Sequence, residues 1–115
     1  MDSVAFIART KAYSLRIIRL IESLPRDVVA RTLGHQLLRA GCARHHRAAT
    51  RAKSRADFIA KLGIVEEECD ETLHWIDLLV DSGRIKATKV SLLKQEGVEI
   101  LSMVVASIRT AKSRR

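Results

Sequence analysis

Carboxylates and one histidine in residues 66–74 are the side chains of this sequence whose spacing comes nearest to a metal site. Glu71 and His74 form a Glu-x-x-His pattern. Helix bundles bind metals with such pairs when a second copy projects inward from a facing helix. The sequence holds no second copy, and helical periodicity places both side chains away from the core. We therefore expect no metal site, no cofactor and a solvated or intersubunit acidic surface here.

The second candidate is basic. Residues 28–56 contain no acid. Arginine forks match the geometry of phosphate groups. If a helix continues from Gly41 to Ser54, spacings of three, four and four residues align four arginines on one side. We predict that this region binds the backbone of RNA or DNA through Arg39, Arg44, Arg47, Arg51, Lys53 and Arg55.

Ion pairing within the protein is the competing interpretation of the same arginines. Arg44, Arg47 and Arg51 can pair with acids of the same chain or of a neighbouring subunit. The candidate acids are Glu66, Glu67, Asp70 and Glu71. The net charge of +8 favours an anionic partner, but residues 57–81 hold one Lys against eight acids. Charge counting leaves both interpretations open.

Other motifs of catalysis are absent from the sequence. It has no Cys-x-x-Cys pair, no Ser/His/Asp order and no glycine-rich phosphate loop. His45 and His46 are adjacent and diverge by about 100° on a helix, so they do not readily share a metal. Cys42 and Cys69 are expected to be reduced apolar fillers. We expect a protein that is not an enzyme.

Composition also limits the modes of binding and the location. One Trp, one Tyr and two Phe provide no stacking platform for bases, so nucleic-acid binding would be mainly electrostatic. No run of 18 apolar residues occurs, and the first residues lack the basic region of a signal peptide. We expect a single domain spanning residues 1–115, located in the cytoplasm with no membrane partner.

Residues 54–82 form the element around which the bundle is predicted to assemble. Ser54 with Asp57 resembles a helix cap, and Gly83 occupies the position of a left-handed C-terminal cap. Such a helix is about 40 Å long. The residues that fall on one arc of about 120° on its helical wheel are Phe58, Leu62, Val65, Cys69, Thr72, Leu73, Ile76, Leu79 and Val80.

Three further helices complete the predicted fold. The first begins with Ser3 as its N-cap and ends near Ser23, the second begins at Pro25 and Asp27, and the last covers about 88–112. Short links between long helices make neighbours antiparallel. The predicted fold class is all-α, an antiparallel up-down-up-down four-helix bundle.

The sequence resembles a known four-helix-bundle protein family. The junction of basic and acidic residues, through Leu79, is the most specific part of the resemblance. The residues that carry it are 37–39, 47–54, 57–59, Leu62, 66–68, 71–73, Trp75, 78–79 and 83–85. This family includes proteins encoded in intervening sequences of 23S ribosomal RNA genes and is similar to accessory proteins of diversity-generating retroelements. The resemblance implies a bacterial, non-enzymatic homo-oligomer, commonly a pentamer, and in the retroelement relatives a basic surface that engages nucleic acid and a reverse transcriptase.

One segment departs from the family pattern. Between Arg39 and Arg47 this chain is about two residues shorter than is usual in the family. Two residues rotate a helix by roughly 200°. Either the basic side chains point in another direction than in the relatives, or the helix bulges or breaks at Gly41.

A second apolar stripe predicts self-association. The first helix has an apolar arc of about 160°, wider than one contact needs. On the third predicted helix, Ile64, Trp75 and Leu78 lie outside the core arc, and an exposed Trp is a common interface anchor. We predict that these three residues contribute to an oligomer interface. A purely structural oligomer that scaffolds a protein partner is the alternative function.

Light scattering at micromolar concentration tests the predicted self-association. The expected result is a particle several times heavier than the 12.9 kDa chain. A monomer would remove the oligomer hypothesis and much of what the resemblance implies.

Overall fold

The computed structural model describes residues 2–114, and within them the chain is helical with no strand. The helices are α1 (Ser3–Glu22), α2 (Val28–Gly41), α3 (His45–Ala49), α4 (Arg55–Asp81) and α5 (Ala87–Ser113). α4 packs against α2, α3 and α5, whereas α1 packs against α2, α5 and the edge of α3. The molecule measures 50 × 21 × 20 Å. The predicted all-α four-helix bundle is confirmed, with α3 as one additional short helix.

Contacts between the long helices show their directions. Ile21 near the end of α1 faces Gly34 in the middle of α2, and Ser14 faces the end of α2 at Gly41. Arg55 at the start of α4 contacts the carbonyl of Arg114 after the end of α5. Successive long helices are therefore antiparallel, in the predicted up-down-up-down order.

Polar side chains define where the helices begin. The Asp2 carboxylate accepts hydrogen bonds from the N–H groups of Val4 and Ala5, so Asp2 and not the predicted Ser3 is the N-cap of α1. A carboxylate also interacts favourably with the positive end of the helix dipole. Asp27 caps α2, and Ser54 caps α4 as predicted.

The apolar arc predicted for α4 faces the core. Leu62, Val65, Thr72, Ile76 and Leu79 are buried. Buried residues of α1, α2 and α5 surround this stripe. Beyond Asp81 the chain reverses at Gly83, whose φ of +79° favours glycine. Among the residues described, no helix combines the length and the apolar character that crossing a membrane would require.

Gly97 permits the close approach of three helices. A Cβ atom at this position would lie 2.5 Å from the Tyr13 hydroxyl of α1 and 3.0 Å from Leu73 Cδ2 of α4. Gly63 on α4 differs, because a Cβ atom there would meet nothing within 4 Å. The two glycines have the same intrinsic cost in a helix but opposite packing environments.

The substitutions Gly97→Ala and Gly63→Ala should have opposite effects on stability. Gly63→Ala should raise the free energy of unfolding by about 0.5–1 kcal/mol through helix propensity alone. Gly97→Ala should lower it by about 1–3 kcal/mol, because the new methyl group overpacks the contact with Tyr13. Urea denaturation of both variants measures the two changes. An equal stabilisation by both would show that the helices do not approach this closely at Gly97.

Candidate nucleic-acid interface

The end of α2 determines how the basic residues are displayed. The Ser14 hydroxyl of α1 donates a 2.7 Å hydrogen bond to the Gly41 carbonyl. A Cβ atom at Gly41 would lie 3.0 Å from Ile17 Cγ2. The helix does not continue from Gly41 to Ser54, so the condition for one continuous helical stripe of arginines is not met. Of the two structural possibilities for the shortened segment, the break at Gly41 is the one observed.

Residues 42–54, which we call the crossover segment, continue along the bundle from the end of α2. Three side chains of α3 attach the segment to the bundle. His45 Nδ1 lies 3.0 Å from Glu68 Oε2 of α4, and the ring of His46 packs edge-on against Phe6 at 6.4 Å between centroids. Ala49 is fully buried. These contacts occupy one side of α3 and leave its other side to solvent.

The six predicted nucleic-acid-binding residues lie between the end of α2 and the start of α4. Arg39 is at the end of α2, Arg44 precedes α3, and the other four residues follow towards the start of α4. All six are exposed, namely Arg39, Arg44, Arg47, Arg51, Lys53 and Arg55. Within residues 2–114, none of the six forms an ion pair with an acid. The structure therefore leaves all six exposed along the chain from the end of α2 to the start of α4, without an acidic partner in the described residues.

Hydrogen bonds between side chains and backbone groups hold the crossover segment in place where it has no helix. The Thr50 hydroxyl donates to the Arg47 carbonyl at 2.7 Å. The Lys53 N–H donates to the Asp57 carboxylate at 3.0 Å, and this carboxylate also accepts from Lys61. These bonds lower the pKa of Asp57, the Lys61 ammonium being the largest cause. The arginines are thus attached to a fixed backbone.

The acids that could pair with the arginines lie on α4. Glu67, Asp70 and Glu71 are exposed, and Glu66 is half-buried. Arg39 shares a groove between α2 and α4 with Glu68 and Glu71, but it forms no ion pair there. Among the residues that the structure describes, the proposed pairing of Arg44, Arg47 and Arg51 within the chain is not formed. Pairing with a neighbouring subunit stays a prediction.

The basic surface includes a part that sequence reasoning missed. Because α4 and α5 are antiparallel, the end of α5 lies beside the start of α4, and Arg55 contacts Arg114. The exposed cations Lys112 and Arg114 thereby extend the basic surface at this end of the bundle. The predicted antiparallel order of the last two helices already implied that the cations at the end of α5 lie beside the start of α4.

The predicted oligomer residues are less exposed than expected. Trp75 is half-buried, packs against the core and has a buried indole nitrogen with no hydrogen-bond partner. The expectation that Trp75 is an exposed anchor is therefore wrong, because part of the side chain packs against the core. Leu78 is also half-buried, whereas Ile64 is 39% exposed. α1 exposes more apolar surface through Leu15 and Ile18.

The candidate metal ligands Glu71 and His74 are exposed, and the thiols of Cys42 and Cys69 are kept protonated by burial. Glu71 and His74 are both exposed, as predicted. In the described part of the chain, no three His, Cys, Asp or Glu side chains form a group that could hold a metal. Burial raises the pKa of the Cys42 thiol and raises that of Cys69 to about 12, so both thiols stay protonated near neutral pH.

The fold and this surface define an all-α bundle with an exposed basic crossover segment. The chain belongs to the family of 23S rRNA-intervening sequence proteins, whose family model matches residues 4–106. It is similar to a crystal structure from Bacteroides thetaiotaomicron of a protein with unknown function from the S23 ribosomal protein family. The two are 28% identical with a TM-score of 0.82, over 95% of this chain and 99% of that chain. A search of curated proteins found no match.

The stability of the crossover segment should depend on pH through His46. Burial against the bundle lowers the pKa of His46 below its ordinary value of 6.5. The unfolded chain then binds a proton more readily than the folded protein, so stability falls as the pH drops below about 6.5. The slope contributed by one proton is at most about 1.4 kcal/mol per pH unit.

Urea denaturation between about pH 5 and pH 8 measures this slope. His46→Gln should flatten the dependence of stability on pH relative to the parent protein. Equal slopes for the parent and the His46 variant would contradict the assignment.

Proposed function

We propose that this protein is a non-enzymatic, basic accessory module that binds the backbone of RNA or DNA through its crossover segment. We further propose that it acts as a homo-oligomer, a pentamer by resemblance, in the bacterial cytoplasm. A reverse transcriptase is the protein partner that the resemblance suggests. The observation that carries the proposal is the set of six exposed basic residues that find no acidic partner within residues 2–114.

The arrangement of the crossover segment suits phosphate. The arginines of the crossover segment and the first residue of α4, Arg55, are spread over residues 44–55. A strand lying along them meets several cations in succession. The guanidinium groups carry full charge at neutral pH and donate in a planar fork. The neighbouring backbone is fixed by the contacts of His45 and Lys53, which reduces the conformational entropy lost on binding. Recognition of this kind follows charge and shape and does not require base contacts.

The alternative is a structural oligomer that scaffolds a protein partner. It is favoured by the exposed acids Glu67, Asp70 and Glu71, which lack ion pairs in the described part of the chain. The acidic surface of one copy can then complement the crossover segment of the next. In that assembly the arginines would be buried between subunits, and no nucleic acid would reach them.

A triple substitution of Arg44, Arg47 and Arg51 by Ala separates the two functions. On the nucleic-acid proposal, the variant should bind RNA or DNA at least about tenfold more weakly at moderate salt. The slope of log affinity against log salt should also become shallower by about 2–3, because fewer counterions are released. Filter retention over a salt series measures both quantities.

The matched control removes the same charge elsewhere. Arg19, Arg26 and Arg31 are exposed on the end of α1, the following link and the start of α2, away from the crossover segment. Their triple substitution by Ala should affect binding much less. If the crossover variant retains nucleic acid normally but dissociates as an oligomer in light scattering, the scaffold alternative replaces the proposal.

A further inference from the structure

A cavity of about 490 Å³ opens at the end of the bundle where α4 begins and α5 ends. Its α4 side is formed by Arg55 and Phe58, three residues apart on one face of the helix. Its α5 side includes Ser107, Thr110 and Arg114, which repeat at spacings of three and four residues. The volume lies within the range of about 300–1,000 Å³ that is typical of small-molecule sites.

The cavity exists because α1 is too short to cover this end. Arg9 of α1 contacts both Glu96 and Met103 of α5. From Arg9, α1 continues six residues towards the end of the bundle, or about 9 Å. From Met103, α5 continues ten residues in the same direction, or about 15 Å. The last turns of α5 and the first turn of α4 therefore project beyond α1.

The chemistry of the wall is that of a site for an amphipathic anion. Arg55 and Arg114 both line the cavity, and no acid is among the lining residues. The Arg55 guanidinium donates one hydrogen bond to the Arg114 carbonyl, which leaves its other N–H groups for a ligand. The start of α4 is the positive end of its dipole, and Lys112 with Arg114 offsets the negative end of α5. Ser107 and Thr110 add hydroxyl donors. Phe58 contributes the one aromatic ring among the lining residues, which gives the cavity an apolar wall beside its cations.

We propose that this cavity binds a nucleoside monophosphate group, with the phosphate between the two arginines and the base against Phe58. Arginine forks bind phosphate, and a base stacks on an aromatic ring without regard to sequence. Arg55 also belongs to the predicted basic surface, so a strand that follows the crossover segment arrives at the cavity. The inference therefore deepens the proposed function, and the group is either a free nucleotide or the phosphorylated end of a strand.

Isothermal titration calorimetry with AMP, adenosine and inorganic phosphate tests the cavity in the 115-residue chain. AMP should bind, and adenosine and inorganic phosphate should each bind at least about tenfold more weakly, because each lacks one half of the interaction. Failure of AMP to bind would overturn the inference. Inorganic phosphate binding as tightly as AMP would also overturn it, since the apolar wall would then contribute nothing.

Two variants and one control locate the binding. Arg114→Gln should weaken AMP binding about tenfold or more, whereas Arg109→Gln, on the same helix but outside the cavity, should leave it nearly unchanged. Ala106→Phe, at an exposed position of the cavity wall, should block AMP without a change in the core. Equal losses for the variants at Arg109 and Arg114 would show diffuse attraction and overturn the proposed site.

A competition experiment distinguishes the two sources of the ligand. A short single strand with a 5′-phosphate should displace AMP if the site binds strand ends, whereas the same strand with a 5′-hydroxyl should not. If neither strand displaces AMP, the ligand is the free nucleotide. Absence of AMP binding with normal retention of RNA on the crossover segment would remove this inference alone, whereas AMP binding without RNA retention would remove only the nucleic-acid function.

Discussion

The contact between Gly41 of α2 and α1 determines most of what is particular to this bundle. The Ser14 hydroxyl donates to the last helical carbonyl, and Ile17 occupies the space that a larger residue at 41 would need. α2 consequently stops after 14 residues, while α4 continues for 27. The remaining length of the bundle is spanned by the crossover segment, whose backbone lies against α4 through His45 and Ala49.

The end of α2 at Gly41 is followed by a segment whose arginines are exposed. The groove between α2 and α4 is lined by Glu68 and Glu71, and Arg39 is the arginine that lines it with them. In the short α3, His45, His46 and Ala49 take the inward positions, and Arg44 and Arg47 remain exposed. The energetic cost of ending a helix is reduced because the Gly41 carbonyl keeps a hydrogen-bond partner. Stability and surface charge thus follow from the same local geometry.

Periodicity predicted the long helices well, because burial of one face controls them. α4 matched its predicted arc and its Ser54 cap. The end of α2 could not be predicted from periodicity, since it depends on the contact of Gly41 with α1, which is distant in the sequence. The predicted exposure of Trp75 was wrong for a similar reason: a helical wheel describes one helix, whereas the burial of Trp75 depends on its packing against the core of the whole bundle. The basic residues were identified by composition, and their grouping with Arg114 follows from the antiparallel order of the last two helices, which the sequence predicted.

The central claim is that the arginines of the crossover segment are free in the assembled protein and become covered by nucleic acid. Modification of arginines by phenylglyoxal, read residue by residue by mass spectrometry with and without RNA, tests it most directly. The account predicts that Arg44, Arg47 and Arg51 react in the protein alone and are protected by RNA, while Arg19 and Arg31 react equally in both samples. Protection of the three crossover arginines before RNA is added, or their unchanged reactivity in the complex, would contradict it.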